Sequence, residues 1–236
     1  LSHPPAIRTV ASTASTNADM LAAAAAGAAE GCWLRAVEQT AGRGRLGRAW
    51  VSPPGNLYAS TIVRLRATDP SAATLALVAA VGLDETLRAY GAEPWIKWPN
   101  DLFIGDAKLT GILLERSGDA VVVGIGVNLA HHPDGLDRPV TSLPAAGLAA
   151  PDPDLFLSDL AEAFARWMAT WRRSLDEVRR RWLERAHPIG TALSVRLPDQ
   201  PPIEGVFDGL DEDGALRLRL PSGSVQVIHA GDVFTI

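Results

Sequence analysis

The apolar positions of this chain change period several times, and each change predicts a different kind of element. Ser15, Thr16, Asn17 and Asp19 place side-chain oxygens just ahead of Met20, Leu21 and an alanine run, the pattern of a capped helix expected to end near Gly31. Residues 33–39 then read as a strand entering a loop of glycine and arginine, and residues 57–65 as a second strand after the turn Ser52-Pro53-Pro54-Gly55-Asn56. Leu75, Val78, Val81, Leu83 and Leu87 follow at helical spacing and stop at Gly91. Short strands are predicted at 95–98, 102–104, 109–114 and 121–127, the last so continuously apolar that it belongs in the centre of a sheet.

Pro151-Asp152-Pro153-Asp154 opens a helical region in which Leu160, Phe164, Trp167, Met168 and Trp171 recur every three or four residues. Ser174 followed by Glu177 fits a capping box, which predicts one helix ending near Arg173 and another beginning. The arginines between 166 and 185 are read as the solvated outer face of these helices. After His187-Pro188-Ile189-Gly190 the texture changes to short strands at 193–197, 203–207, 215–220 and 224–229. Turns at Pro198-Asp199, 211–214 and 221–223 separate them, which suggests a small all-β barrel appended to an α+β body. The expected domains are residues 1–187 and 188–236.

Composition narrows the function classes. The 236 residues are 47% hydrophobic, enough for a proper core, and the 22 basic against 27 acidic residues argue against a general nucleic-acid binder. One cysteine, Cys32, cannot form an internal disulfide, so a cytoplasmic location is expected. No apolar run reaches the ~18 residues of a membrane span, and no secretory signal pattern is present.

Three segments carry chemistry. In the first, Gly42, Gly44 and Gly47 are interleaved with Arg43, Arg45 and Arg48, and Trp50 follows. Such a loop is costly to order and its cations repel, so an arriving anion gives it a reason to exist. It satisfies G-x-G-x-x-G by accident, because no helix opens after the glycines as a dinucleotide site requires. In the second, Lys97-Trp98-Pro99-Asn100-Asp101 precedes Lys108 and Gly111. Glycine in a strand marks close approach, Lys108 is placed to hold a carboxylate and then the phosphate it joins, and Asp101 is a candidate Mg²⁺ ligand. In the third, Gly124 and Gly126 clear a slot on one face of a buried strand that ends at Asn128. A phosphate-binding loop and the common hydrolase motifs are absent from the sequence.

Together these segments, with Ser15-Thr16-Asn17 upstream and Ala230-Gly231-Asp232-Val233 at the end, resemble the bacterial biotin–protein ligases over nearly the whole chain. The resemblance implies a mixed β-sheet flanked by helices, of the kind shared with class II aminoacyl-tRNA synthetases, and a C-terminal SH3-like β-barrel. It implies that biotin and MgATP form biotinyl-5′-AMP, whose biotin passes to a lysine of a biotin carboxyl carrier protein docked along a sheet edge. No tightly bound prosthetic group is implied, and monomer and homodimer are both compatible with it.

The resemblance also assigns roles. Lys108 and Arg45 are implied to be catalytic. Ser15, Thr16, Asn17, Gln39, Gly42, Arg43, Gly44, Lys108, Gly111 and Gly124 are implied to surround biotin. Arg43, Arg45, Arg48, Trp50, Asn100, Lys108 and Asn128 are implied to meet the nucleotide. Leu46 stands where some relatives carry a further arginine. Relatives that also repress transcription carry a winged-helix domain ahead of the position of Ser15, so a ligase without DNA binding is expected. The competing readings are a lipoate or octanoate transferase of the same fold, and a non-catalytic sensor of biotin or its adenylate.

Overall fold

A computed structural model describes residues 6–136, 138–197 and 200–236, so the predicted Pro198-Asp199 turn lies outside the described residues. The chain begins with β1 (Ile7–Thr13), α1 (Thr16–Ala25), β2 (Trp33–Gln39), β3 (Leu57–Arg64) and α2 (Leu75–Ala89). Four strands follow, β4 (Trp95–Lys97), β5 (Asp101–Ile104), β6 (Ala107–Ser117) and β7 (Ala120–Val127). Helices α3 (Pro153–Arg173) and α4 (Leu175–Leu183) lead to β8 (Ala192–Arg196), β9 (Ile203–Leu210), β10 (Leu216–Arg219), β11 (Val225–Ile228) and β12 (Asp232–Thr235).

The first seven strands form one mixed sheet in the order β1-β2-β3-β7-β6-β5-β4. β1 runs parallel to β2 and every other neighbouring pair is antiparallel. The apolar β7 sits at its centre, with Val121, Val122 and Val123 buried. One face packs Val121, Val123 and Ile125 against the main core with α2 and α3, while Val122 and Ile62 meet Met20 and Ala24 of α1 on the other. Because α1 has only ten residues, it covers one end of its face and leaves the rest of that face to other segments. It stops at Gly27, whose φ of +88° takes the chain out of the helix, earlier than the predicted end near Gly31. β1 is a strand that no alternation announces; Ile7 and Val10 are three apart, and its pairing with β2 holds it.

The division between α3 and α4 falls where Ser174 predicts, its Oγ accepting from the Glu177 amide at 3.4 Å. The box closes on one side only, since the Glu177 carboxylate accepts from Arg173 at 3.0 Å. The arginines of this region are not simply a solvated face. Arg172 pairs with Glu30 at 2.7 Å and Asp69 at 3.3 Å, while Arg181 and Arg185 converge with Arg88 on the fully buried Asp84 at 3.4, 3.5 and 2.9 Å. A buried carboxylate needs such partners, and periodicity along one helix cannot reveal a charge on another.

The last five strands form a separate antiparallel sheet in the order β11-β10-β9-β8-β12. This C-terminal unit is all-β as expected, and among the described residues β11 and β12 are its two edges, with no ladder between them to close the sheet. β11 has four residues and buries only Ile228, leaving Val225 and Val227 exposed, so closure onto β12 is not enforced by core packing.

His187 lies between the two sheets, its ring 4.4 Å from Trp95 and 6.4 Å from Phe207. Burial, helped by the charge of Lys97, pushes its pKa down from 6.5 to about 4. Between those values the unfolded chain binds the extra proton, so stability is present above pH 6.5 and is lost as pH falls towards 4. After allowance for solvent screening, His187→Phe is expected to remove about 1 kcal/mol of the stability difference between pH 7 and pH 5, read from urea midpoints. An unchanged difference in the variant would assign the pH dependence elsewhere.

Candidate active site

The face left open by α1 carries a row of directly opposed residues running across five strands. Tyr58 pairs with Gly126, Gly126 with Gly111, Gly111 with Asp101, and Asp101 with Lys97. Directly opposed residues share a face, and from Tyr58 to Asp101 this row is the floor of the site. The two central glycines make room for Trp50. A Cβ on Gly126 would lie 2.6 Å from the indole Cε2, and one on Gly111 would lie 2.9 Å from its Cζ3. Gly124, two residues before Gly126, lies under the side chain of Asn17 in the same way.

One end of the cavity is lined by neutral hydrogen-bonding side chains, with the Glu115 carboxylate behind them. Ser15 caps α1, its Oγ accepting from the Ala18 amide at 3.5 Å. The Thr16 amide and hydroxyl donate to Gln39 Oε1 at 2.9 and 3.2 Å, and Gln39 Nε2 donates to Ser52 Oγ at 3.0 Å. Asn17 is held from two sides, donating to Glu115 at 2.8 Å and accepting from Ser60 at 2.6 Å. Thr16, Asn17 and Gln39 are thereby held in fixed hydrogen-bonding directions.

The other end is charged. Lys108 Nζ stands 2.6 Å from Asp101 Oδ1 with only 8% of its side chain exposed. Burial lowers the pKa of this amine, against the opposing pull of Asp101. The glycine–arginine segment arches over this end as a small hairpin, closed by Trp50 N–H to Gly42 O at 2.9 Å and Gly44 N–H to Arg48 O at 2.8 Å. Leu46 occupies its exposed tip with a φ of +57°. No helix follows the glycines, in keeping with the rejection of a dinucleotide fingerprint. Arg45 donates to Asn100 Oδ1 at 3.1 Å and to Gly231 O at 3.5 Å, Arg43 lies 3.9 Å from Glu115, and Arg48 pairs with Asp232. Burial works to raise the Asp232 carboxyl, and the Arg48 guanidinium outweighs it, so its pKa lies below the usual value.

The structure brings most of the expected residues to one cavity: Ser15, Thr16, Asn17 and Gln39 at the neutral end, Arg43, Gly44, Arg45, Arg48 and Trp50 above, and Asn100, Asp101, Lys108, Gly111 and Gly124 below. Two lie behind its wall. Gly42 has no room for a side chain, since a Cβ would lie 2.5 Å from Trp50 O and 2.7 Å from Ser52 Oγ. Asn128 is buried and donates to Thr141 O at 2.9 Å. Sequence reasoning missed Tyr58, Arg138 and Asp232 in the lining and Ser60 behind it. Among the described residues no cluster of three or more His, Cys, Asp or Glu residues is arranged to hold a metal ion.

Residues 15–129 match the model of the Biotin/lipoate A/B protein ligase family, and residues 194–235 match that of the Biotin protein ligase C terminal domain. A biotin–[acetyl-CoA-carboxylase] ligase of Paracoccus denitrificans is 43% identical over 240 residues, covering 95% of this chain and 98% of that protein. One from Mycobacterium tuberculosis is 36% identical, covering 95% and 86%. The biotin protein ligase from Aquifex aeolicus in complex with biotin and ATP superposes with a TM-score of 0.86 at 24% identity, over 98% of this chain and 99% of that one, a likeness of fold. On the sequence relationship to these ligases, the chain belongs to the biotin protein ligase family.

Proposed function

We propose that the chain activates biotin with ATP and transfers it to a lysine of a biotin carboxyl carrier protein. The observation that carries this reading is the division of one cavity into a neutral hydrogen-bonding end, suited to a cyclic urea, and a cationic end, suited to a polyphosphate, with Trp50 on a glycine floor between them.

In the first step a carboxylate oxygen of biotin attacks the α-phosphorus of ATP, the bond from that phosphorus to the bridging oxygen breaks, and pyrophosphate leaves with the electron pair. Two anions must be brought together, so a cation between them lowers the barrier, and the buried Lys108 is the group for it. Arg43, Arg45 and Arg48 cover the mixed anhydride and keep water away from it. In the second step the carrier's lysine amine attacks the acyl carbon, AMP leaves, and the ammonium loses a proton. The nucleophile arrives with the carrier, so the site needs no nucleophile–base pair of its own. The carrier is placed along a sheet edge, of which β1 and β4 are the two candidates in the large sheet.

Magnesium enters as part of the substrate. Asp101 is already paired with Lys108, so it suits one contact to an ion delivered by the triphosphate better than a resident site. We keep the domain division at residues 187 and 188 and a cytoplasmic location, where ATP is supplied; no helix among the described residues is long and apolar enough to cross a membrane. The test is transfer of labelled biotin to a carrier domain. Incorporation that requires MgATP is the expected result. Preferential use of octanoate or lipoate would select the transferase reading, and binding of biotin without transfer would select the sensor.

A further inference from the structure

The sequence motifs leave the segment between β7 and α3 without a role, yet it is fastened to the centre of the site. The Lys108 amide donates to Pro139 O at 3.0 Å, and the Thr141 amide donates to Lys108 O at 2.9 Å. Asn128 adds its bond to Thr141 O, and the Leu143 amide donates to Asn128 O at 3.2 Å. The backbone on both sides of Val140 is thus clamped against Lys108, and Arg138 stands one residue before the clamp. Pro139 restricts the backbone of Arg138 in turn. Arg138 lines the cavity.

Its place within the cavity follows from its neighbours. Lys108 bridges directly to Val140, two residues beyond Arg138, so the clamp holds this part of the segment beside Lys108 at the charged end, where the charge of Arg138 is felt by Lys108 and Asp232. Arg43, Arg48 and Lys108 each have a carboxylate within ion-pair distance. Among the described residues Arg138 has none, so its charge is available to an incoming anion without breaking an existing pair. We propose that Arg138 binds the β- and γ-phosphates of ATP and the pyrophosphate they become. As the bond between the α-phosphorus and the bridging oxygen breaks, the electron pair goes to the departing pyrophosphate, and the guanidinium meets that growing charge with paired N–H donors.

This inference rests on the adenylation reading above and is tested so that the two can fail separately. Arg138→Gln is expected to lower kcat/KM for ATP about 30-fold and to raise the inhibition constant of pyrophosphate by about tenfold, as loss of a charge-assisted contact to phosphate would. Biotin affinity should remain as in the parent enzyme. Transfer from synthetic biotinyl-5′-AMP to the carrier, a step without pyrophosphate, should also be unchanged. Arg138→Lys should recover part of the ATP effect, because it keeps the charge and loses the fork. Unchanged pyrophosphate inhibition overturns the proposal, as does an equal fall in the transfer step, which would make Arg138 a support for Lys108 alone. If the unaltered protein forms no adenylate from biotin and MgATP, the adenylation reading falls with it, and that result appears before any variant is made.

Discussion

Lys108→Gln is expected to reduce biotinyl-5′-AMP formation by about 10³-fold, the scale for removing one preorganised charge from a water-excluded transition state. Glutamine fills nearly the same space, so the variant isolates the charge. It also leaves Asp101, 2.6 Å away in the parent protein, without its cation at the place where a carboxylate and a triphosphate must meet. Repulsion by Asp101 and loss of attraction by Lys108 therefore act in the same direction. The measurement is single-turnover formation of adenylate and pyrophosphate. Transfer from preformed adenylate separates chemistry from collapse of the site, and should retain a much larger share of its rate. Undiminished pyrophosphate release would remove Lys108 from the reaction, and an equal loss in both steps would make it a structural residue.

How much of this site was legible in the sequence depended on whether a residue's reason lies nearby in the chain. Gly111, Gly124 and Gly126 were readable because a glycine within an apolar strand reports close approach, and each floor glycine has a side chain lying on it. Lys108 was readable because it stands beside such a glycine. Asp232 was not, because its reason is Arg48, which is brought to it only by the docking of the second sheet. Arg138 was hidden for a related cause. Its segment has no periodicity, and what fixes it is backbone hydrogen bonding to Lys108, about which side-chain type says nothing. The same limit explains Asn128, expected at the nucleotide and found holding the Arg138 segment from behind. Its polar side chain at the end of a glycine-lined strand was noticed, but one sequence cannot say whether an amide faces a ligand or a loop.

The fold shows the same division. Strand and helix existence followed from local pattern, as in the central β7 and the break at Ser174. The ion pairs on Asp84 and the open edge between β11 and β12 followed from packing between distant segments.

Gly124→Ala tests whether the neutral end of the cavity is as rigid as its hydrogen bonds imply. The added methyl would fall on the Asn17 amide group, within 2.8 Å of its Cγ and 3.0 Å of its Nδ2. Asn17 has no room to swing aside, since Glu115 and Ser60 hold both ends of that amide. The strain passes to the start of α1, which carries Ser15 and Thr16 and is tied to Gln39. A displacement of about 1 Å in a positioning element costs on the order of 10²-fold, and biotin affinity is expected to fall by that much. Overpacking should also cost about 1–3 kcal/mol of stability. The nucleotide end should be spared, because Gly124 lies under Asn17 whereas Gly126 and Gly111 lie under Trp50. The paired variant Gly124→Ala with Asn17→Gly removes the group that the methyl strikes. Its stability should lie well above the sum of the single effects, as expected for residues in direct contact. Additive losses would mean that the methyl is accommodated elsewhere, and wild-type biotin affinity in Gly124→Ala alone would show that this end of the cavity yields.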